Sequence, residues 1–377
     1  MKVYADNAAT MKMRPEALED MNEALQENWG NPSSVYSVGR EAKIAMESAR
    51  YTIAQCIGAK TNEIFFTSGG SEADTQAILS AAAIGAQTER THVIVSAIEH
   101  QAVLKTAAQL EAMGFEVTYV QPDRDGYIDP AKIHENIREN TILVSVMAAN
   151  NEIGTVQNIR QIGALCQIAN VLFHTDAVQA VGHMPIDVSQ LNVDLLTMSA
   201  HKFGGPKGIG AIYAKSGISL SPLILGGPQE RGRRAGTENV PAMVGMATAL
   251  ETSCQNMEEE NEKITAMRDK LIDGLLEIPG TVLNGPRDNR LPGNVSVCFK
   301  DAASESLLVL LDEAGICASA GSACEAGSLD PSHVLLAIGR SEKEAMSSLR
   351  LTLSADNTMD DVDYILETVR KSVEKIR

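Results

Sequence analysis

Between residues 60 and 215 the chain alternates short β-branched runs with longer alanine-rich stretches, and few architectures are open to such a chain. Glu63–Thr67, His92–Ser96, Glu116–Val120, Ile142–Met147, Val171–Thr175, Asp194–Met198 and Ile209–Tyr213 read as strands. Parallel neighbours need a long connection between them, and the helical stretches supply it. The pattern therefore predicts an α/β fold with a mainly parallel, seven-stranded sheet. Past it, Met246–Leu276 is helical and rich in charge, holds no strand candidate, and reads as a helix between domains. A strand at Asn294–Phe299, a helix at Ala303–Ala314, a Gly/Ser/Ala loop from Ala318 to Ser328, a helix near His333, a strand at Ser348–Leu353 and an amphipathic helix from Asp360 follow. These make a small α+β domain. A length of 377 residues exceeds what one core usually serves, about 250 to 300. The expected division is a large domain over 16–250, with 1–15 and 251–377 forming the small one.

Charge and cysteine usage remove several function classes. A net charge of -17 leaves nothing to concentrate the chain on a phosphate backbone, so no nucleic acid partner is expected, whereas a protein with a basic patch would be attracted. Six cysteines without a CxxC pair lack the density of a disulfide scaffold and point to a reducing compartment. The start, MKVYADNAAT, has no apolar run after its lysine, and no stretch approaches the roughly 18 apolar residues of a membrane span. The expectation is a soluble, cytoplasmic protein with no membrane contact.

In an open α/β sheet, ligands sit at the carboxyl ends of the strands, so polar residues there are the first candidates. Ser199-Ala200-His201-Lys202 places a lysine in such a position, where its amine could form a Schiff base with an aldehyde cofactor. Taken alone, Lys202 is more often an ordinary loop lysine. Asp176 could keep a pyridine nitrogen protonated, or simply cap a helix, and Gln179 shares its helical face. Thr67-Ser68-Gly69-Gly70-Ser71-Glu72 opens a helix whose glycines would let backbone N–H groups approach a phosphate, with a capping box at Ser68 as the alternative. His100 could stack on a ring or be a satisfied structural histidine, and Asn151 could aim a hydrogen bond or belong to a turn. Each signal is weak alone. Successive strand ends that each offer a residue type pyridoxal phosphate requires are hard to assign to chance.

Asp6-Asn7-Ala8-Ala9-Thr10, Gly30-Asn31-Pro32-Ser33-Ser34, Thr67–Glu72, Glu99-His100, Asn151-Glu152-Ile153-Gly154, Asp176–Gln179, Ser199–Gly208, Arg234-Ala235-Gly236-Thr237 and Gly321-Ser322-Ala323-Cys324 occur in one order. With these the chain resembles the NifS/IscS-type cysteine desulfurases over essentially its whole length. These are class V aminotransferase relatives with the fold-type I architecture of pyridoxal-phosphate enzymes. The resemblance implies that Lys202 carries the cofactor, Asp176 pairs its ring nitrogen and His100 stacks on the ring. Gly70, Ser71, Ser199 and His201 would hold the phosphate, with Thr237 reaching it from the other subunit of a homodimer. Asn151 and Gln179 would bond cofactor and substrate, and Asn31, Asn151 and Arg350 would bind L-cysteine, the arginine meeting its carboxylate with a planar fork. Cys324 would accept the sulfur from a Gly/Ser/Ala loop whose mobility suits delivery to a partner such as an iron-sulfur scaffold, and no metal is expected beyond a transient iron-sulfur contact at Cys324. Cys317 competes for that role but abuts an apolar stretch and reads as buried.

The chain departs from the family at Met11, Tyr36, Glu325, Ser354 and Ala355. Glu325 beside Cys324 would raise a thiol pKa rather than lower it. These departures bear on partner choice and rate more than on reaction type. The implied reaction is L-cysteine to alanine, with the sulfur left on Cys324 as a persulfide. Rival expectations are a selenocysteine lyase or aminotransferase on the same fold, and a cofactor-binding scaffold without turnover.

Overall fold

A computed structural model describes residues 2–321 and 330–377. Cys324 and Glu325 lie outside the described residues. Twelve strands are present among those described. They are β1 (Val3–Tyr4), β2 (Ile64–Thr67), β3 (His92–Ser96), β4 (Glu116–Val120), β5 (Thr141–Ser145), β6 (Leu172–Asp176), β7 (Leu195–Ser199), β8 (Gly210–Ala214), β9 (Thr281–Leu283), β10 (Asn294–Phe299), β11 (Ile316–Cys317) and β12 (Ser348–Thr352).

Seven of these form one sheet in the order β2-β8-β7-β6-β5-β3-β4. Strand β8 runs antiparallel to both neighbours, and the pairs β7-β6, β6-β5, β5-β3 and β3-β4 are parallel. The sheet is thus α/β and mainly parallel, as the alternation predicts, with one reversed strand. The reason is the short connection. Only residues 200–209 separate β7 from β8, too few for a crossover helix, so the chain turns back and pairs antiparallel. Every residue of β3, β5, β7 and β8 is buried, as expected of strands covered on both faces.

Several predicted strands sit one residue early. Val171–Thr175 and Asp194–Met198 are found as Leu172–Asp176 and Leu195–Ser199, so Asp176 and Ser199 end the strands instead of following them. The apolar pattern marks the core-facing run, but the ladder continues through Asp176↔Thr197 and Ser199↔Gly210.

A second, antiparallel sheet has the order β12-β10-β9, and β1 pairs with β11 in parallel. Its core gathers Val3 and Ala5 with Ile264, Leu271, Val295, Leu349 and Val369. The helix Val240–Leu276 spans 37 residues and joins both cores: Met243, Met246 and Leu250 pack in the large one, Met267, Leu271 and Leu275 in the second. Asn239 caps it by accepting from Ala242 N–H at 3.3 Å. Among the described residues no helix is long and apolar enough to cross a membrane. Cys317, read as buried, is half-buried, because its two-residue strand pairs only with β1 at Tyr4.

Candidate active site

The carboxyl ends of β2, β3, β5, β6 and β7 open on one side of the large sheet. A cavity of about 170 Å3 lies there. Lys202, Asp176, His100, Gly70, Ser71, Asn151, Gln179, Ser199, His201 and Arg350 all line it. Asn31 and Thr237 do not; both are exposed, and Asn31 Oδ1 instead accepts from Ser33 N–H at 2.9 Å in a local turn.

Lys202 ends a short 3-10 turn after β7. Its Nζ donates to the carbonyl oxygens of Ala8 at 2.6 Å and Ala9 at 2.9 Å. Those are neutral acceptors supplied by the N-terminal segment, and they place the amine at the cavity. Asp176 is buried and accepts from Val178 N–H at 2.9 Å. Burial pushes its carboxyl up, opposed by His100, the Val178 N–H and Lys202. His100 caps the helix Gln101–Ala112, its Nδ1 accepting from Ala102 N–H at 3.1 Å. That bond fixes the plane of the imidazole.

Next to this group the helix Gly70–Gln87 begins without a side-chain cap. The capping box weighed at Ser68 does not form; Glu72 accepts from Ser68 N–H at 2.8 Å and turns its other oxygen to Arg234. An uncapped first turn leaves N–H groups for an anion, in the favourable field of the helix dipole. Gly70 makes the room: a Cβ there would stand 2.9 Å from Val178 Cγ2 and 3.6 Å from Ser199 Cβ. His201 lies beside it, Nδ1 3.1 Å from Thr10 Oγ1, its imidazole pushed down to about 4 by burial and by Lys202 and Lys207. A neutral imidazole there can donate a hydrogen bond to a phosphate.

Arg350 comes from the other sheet. It is buried, with Nη2 2.8 Å from Asp6 Oδ1 and Nη1 donating to Asn151 O at 3.2 Å, while its Nε has no hydrogen-bond partner among the described residues. A buried guanidinium N–H without a partner is costly, and here it belongs to the residue best shaped to grip a carboxylate.

A family model described as Aminotransferase class-V matches residues 3–365. Cysteine desulfurase IscS of Methanosarcina thermophila is 51% identical over 375 residues, which is 100% of this chain and 93% of that protein. The chain belongs to the NifS/IscS-type cysteine desulfurases. Among solved structures, a NifS-like protein of 37% identity superposes with a TM-score of 0.93 over 98% of this chain and 99% of its own. SspA, solved in complex with cysteine, is also 37% identical, with a TM-score of 0.83 over 93% and 99% of the two chains. Cysteine desulfurases of this family depend on pyridoxal phosphate, and so does this chain. The site fits that group: an uncapped helix start with a glycine clearing for the phosphate, a buried carboxylate for the ring nitrogen, and a lysine amine between.

Some lining residues carried no expectation. Ala8 and Ala9 act through their carbonyls, which no side-chain pattern reveals. Asp74 lines the cavity from within the alanine-rich helix, where a lone carboxylate among small apolar residues was the available signal. Asp6 orients Arg350, and Asp6 was legible only as part of a motif.

Proposed function

We propose that this desulfurase takes L-cysteine, releases alanine and leaves the sulfur on Cys324 as a persulfide for transfer to an acceptor such as an iron-sulfur scaffold. The observation that carries this reading is the meeting of Lys202 and Asp176, from the large sheet, with Arg350, from the small one, around one cavity. Arg350 binds the substrate carboxylate and Asn151 and Gln179 orient the reacting end. Asp176 would pair the ring nitrogen, His100 would face the ring, and Gly70, Ser71, Ser199 and His201 would hold the phosphate. When bound, pyridoxal phosphate withdraws electrons from the substrate Cα and so labilises its proton and the C–S bond. The Lys202 amine, placed at the cavity, would move that proton. The Cys324 thiolate then attacks the substrate sulfur; the carbon keeps the electron pair of the broken C–S bond and takes a proton, giving alanine.

The chain on either side of 322–329 is tied to the site. Ser319 donates to Asp6 Oδ2 at 2.8 Å, and Ser332 donates to Glu152 Oε2 at 2.5 Å, beside Asn151. That tethering holds both ends of the segment that contains Cys324 at the site, which supports it as the acceptor. We also propose a cytoplasmic homodimer in which Thr237 of the partner subunit reaches the phosphate, with Asn31 contributing at the substrate end. Any iron-sulfur contact is a transient one at Cys324; among the described residues no group of three or more His, Cys, Asp or Glu could hold a metal ion.

The decisive measurement is alanine released from L-cysteine by the native enzyme and by Cys324→Ala. The variant should keep its cofactor absorbance and lose persulfide and sulfide output by roughly a hundredfold or more. Turnover that survives in Cys324→Ala would instead indicate a selenocysteine lyase or an aminotransferase.

A further inference from the structure

A second carboxyl stands close to Asp176. Asp74, in the second turn of the helix Gly70–Gln87, is 1% exposed and lines the same cavity. Its Oδ1 accepts from Thr197 Oγ1 at 2.5 Å and lies 3.6 Å from His174 Nε2. That nitrogen is buried and has no hydrogen-bond partner among the described residues, while His174 Nδ1 lies 2.8 Å from Ser145 Oγ. His174 and Asp176 are two apart on β6, so their side chains leave the same face. The two carboxyls and the imidazole therefore share one dry compartment.

Two carboxylates in such a place do not both stay ionised without cations. Burial raises both, but their neighbours treat them unequally. Asp176 is drawn back towards its anion by His100, the Val178 N–H and Lys202. Asp74 faces burial and the repulsion of Asp176 and Glu99, with only the Thr197 hydroxyl in opposition, and its carboxyl is pushed well above the ordinary range. His174 supplies no positive charge, since burial pushes its imidazole down to about 3. Glu99 is likewise pushed up to about 8 by burial and adds no charge that would favour the anion of Asp74.

We propose that Asp74 is a positioning residue that carries a proton, turned towards His174 Nε2, and so leaves Asp176 as the single anion beneath the ring nitrogen of the cofactor. It rests on the role given to Asp176 above. The proton stays where it is throughout turnover: Asp74 acts on Asp176 by not being charged.

Protonated and ionised carboxyls absorb at different infrared frequencies, so the native-minus-Asp74→Asn difference spectrum of the pyridoxal-phosphate-loaded protein at neutral pH reads Asp74 directly. The expected result is loss of a protonated-carboxyl band, with Glu99→Gln removing a separate one. Loss of an ionised-carboxylate band instead would overturn the proposal. Cofactor retention gives a second readout: Asp74→Ala should weaken it about tenfold, and Asp74→Asn should restore it to within about threefold, because the amide keeps the neutral hydrogen-bonding shape. If asparagine fails to restore it, a negative charge is required at 74 and the idea is lost. Should a variant not fold, an atomic-resolution crystal of the native enzyme decides, unequal C–O bonds at Asp74 supporting the proton and equal ones refuting it. Native protein that takes up no pyridoxal phosphate would sink the underlying reading, whereas an ionised Asp74 in loaded protein sinks this inference alone.

Discussion

Glu99 shows how a residue can be adjacent to a motif histidine and serve the frame instead of the chemistry. It is fully buried; its Oε1 accepts from Ser96 Oγ and from Met147 N–H, while Oε2 has no hydrogen-bond partner among the described residues. Burial raises its carboxyl from an ordinary 4.5 to about 8, so the folded state binds a proton that the unfolded state has already released between those values. Stability from this group is therefore fully present below about pH 4.5 and is lost as pH rises towards 8. His174 acts with the opposite sign. Its imidazole is held near 3, so its contribution is present above the unfolded value of 6.5 and is lost as pH falls towards 3. Comparing native protein with Glu99→Gln cancels the histidine. The glutamine variant should gain on the native protein by several degrees in unfolding temperature between about pH 5 and about pH 9, since one pH unit across a shifted group corresponds to roughly 1.4 kcal/mol. A constant gap across that range would show that Glu99 titrates normally. None of this was visible in Glu99-His100 as a dipeptide, because the cost of burying a charge depends on what closes over it.

At the scale of elements, the segment Gln229–Gly232 is fastened by a buried ion pair, beside the bonds that Arg231 donates to the carbonyl oxygens of Asn62 and Ile64. Arg50, from the helix Ser37–Cys56, meets Glu230 through two bonds of 2.7 Å, and both are buried. Glu230 also accepts from Phe66 N–H in β2 at 2.9 Å, and the guanidinium lies 4.8 Å from the Phe66 ring. A helix, a strand and a loop are thus fastened at a point where Glu230 and Arg231 hold left-handed φ values of 46° and 57°. Removing Glu230 leaves Arg50 buried with only the more exposed Glu47, 3.2 Å from its Nε, as an ion-pair partner among the described residues. Glu230→Gln should cost about 3 to 5 kcal/mol, read as a lower denaturant midpoint with little change in slope. A loss under about 1 kcal/mol would mean that water reaches Arg50. The strands themselves were easy to locate from apolar runs, and their boundaries were not. Asp176 and Ser199 are polar and line the cavity, so they looked like loop residues while sitting in the ladder. The reversal of β8 could have been foreseen from the ten residues between its strand and the last, had connection length been weighed against the repeating pattern.

For the molecule as a whole, the site depends on holding two cores in register. Lys202 belongs with the large sheet and Arg350 with the small one, and the motifs named both without saying what keeps them a fixed distance apart. The helix Val240–Leu276 is the main device. Its buried residues fall in two groups, from Val240 to Ser253 and from Ile264 to Leu275, and between them no residue is buried. That middle stretch was legible as charged and helical, but its use as a spacer emerges only once each end is seen packed in a different core. A spacer works by stiffness, and proline removes stiffness at a known place. Glu258 is exposed in the middle stretch, so Glu258→Pro deletes one helical hydrogen bond and kinks the rod at a cost of about 3 kcal/mol without touching either core. Cofactor contacts from the large sheet should survive while Arg350 shifts against them. The expected outcome is an intact cofactor absorbance, a KM for L-cysteine raised about tenfold or more, and a smaller fall in kcat. Glu258→Ala, which keeps the helix, should behave as the native enzyme. Equal KM values for the proline and alanine variants would mean that the N-terminal segment, through Asp6 and the Thr352 bridge, aligns the two sheets without help from the helix.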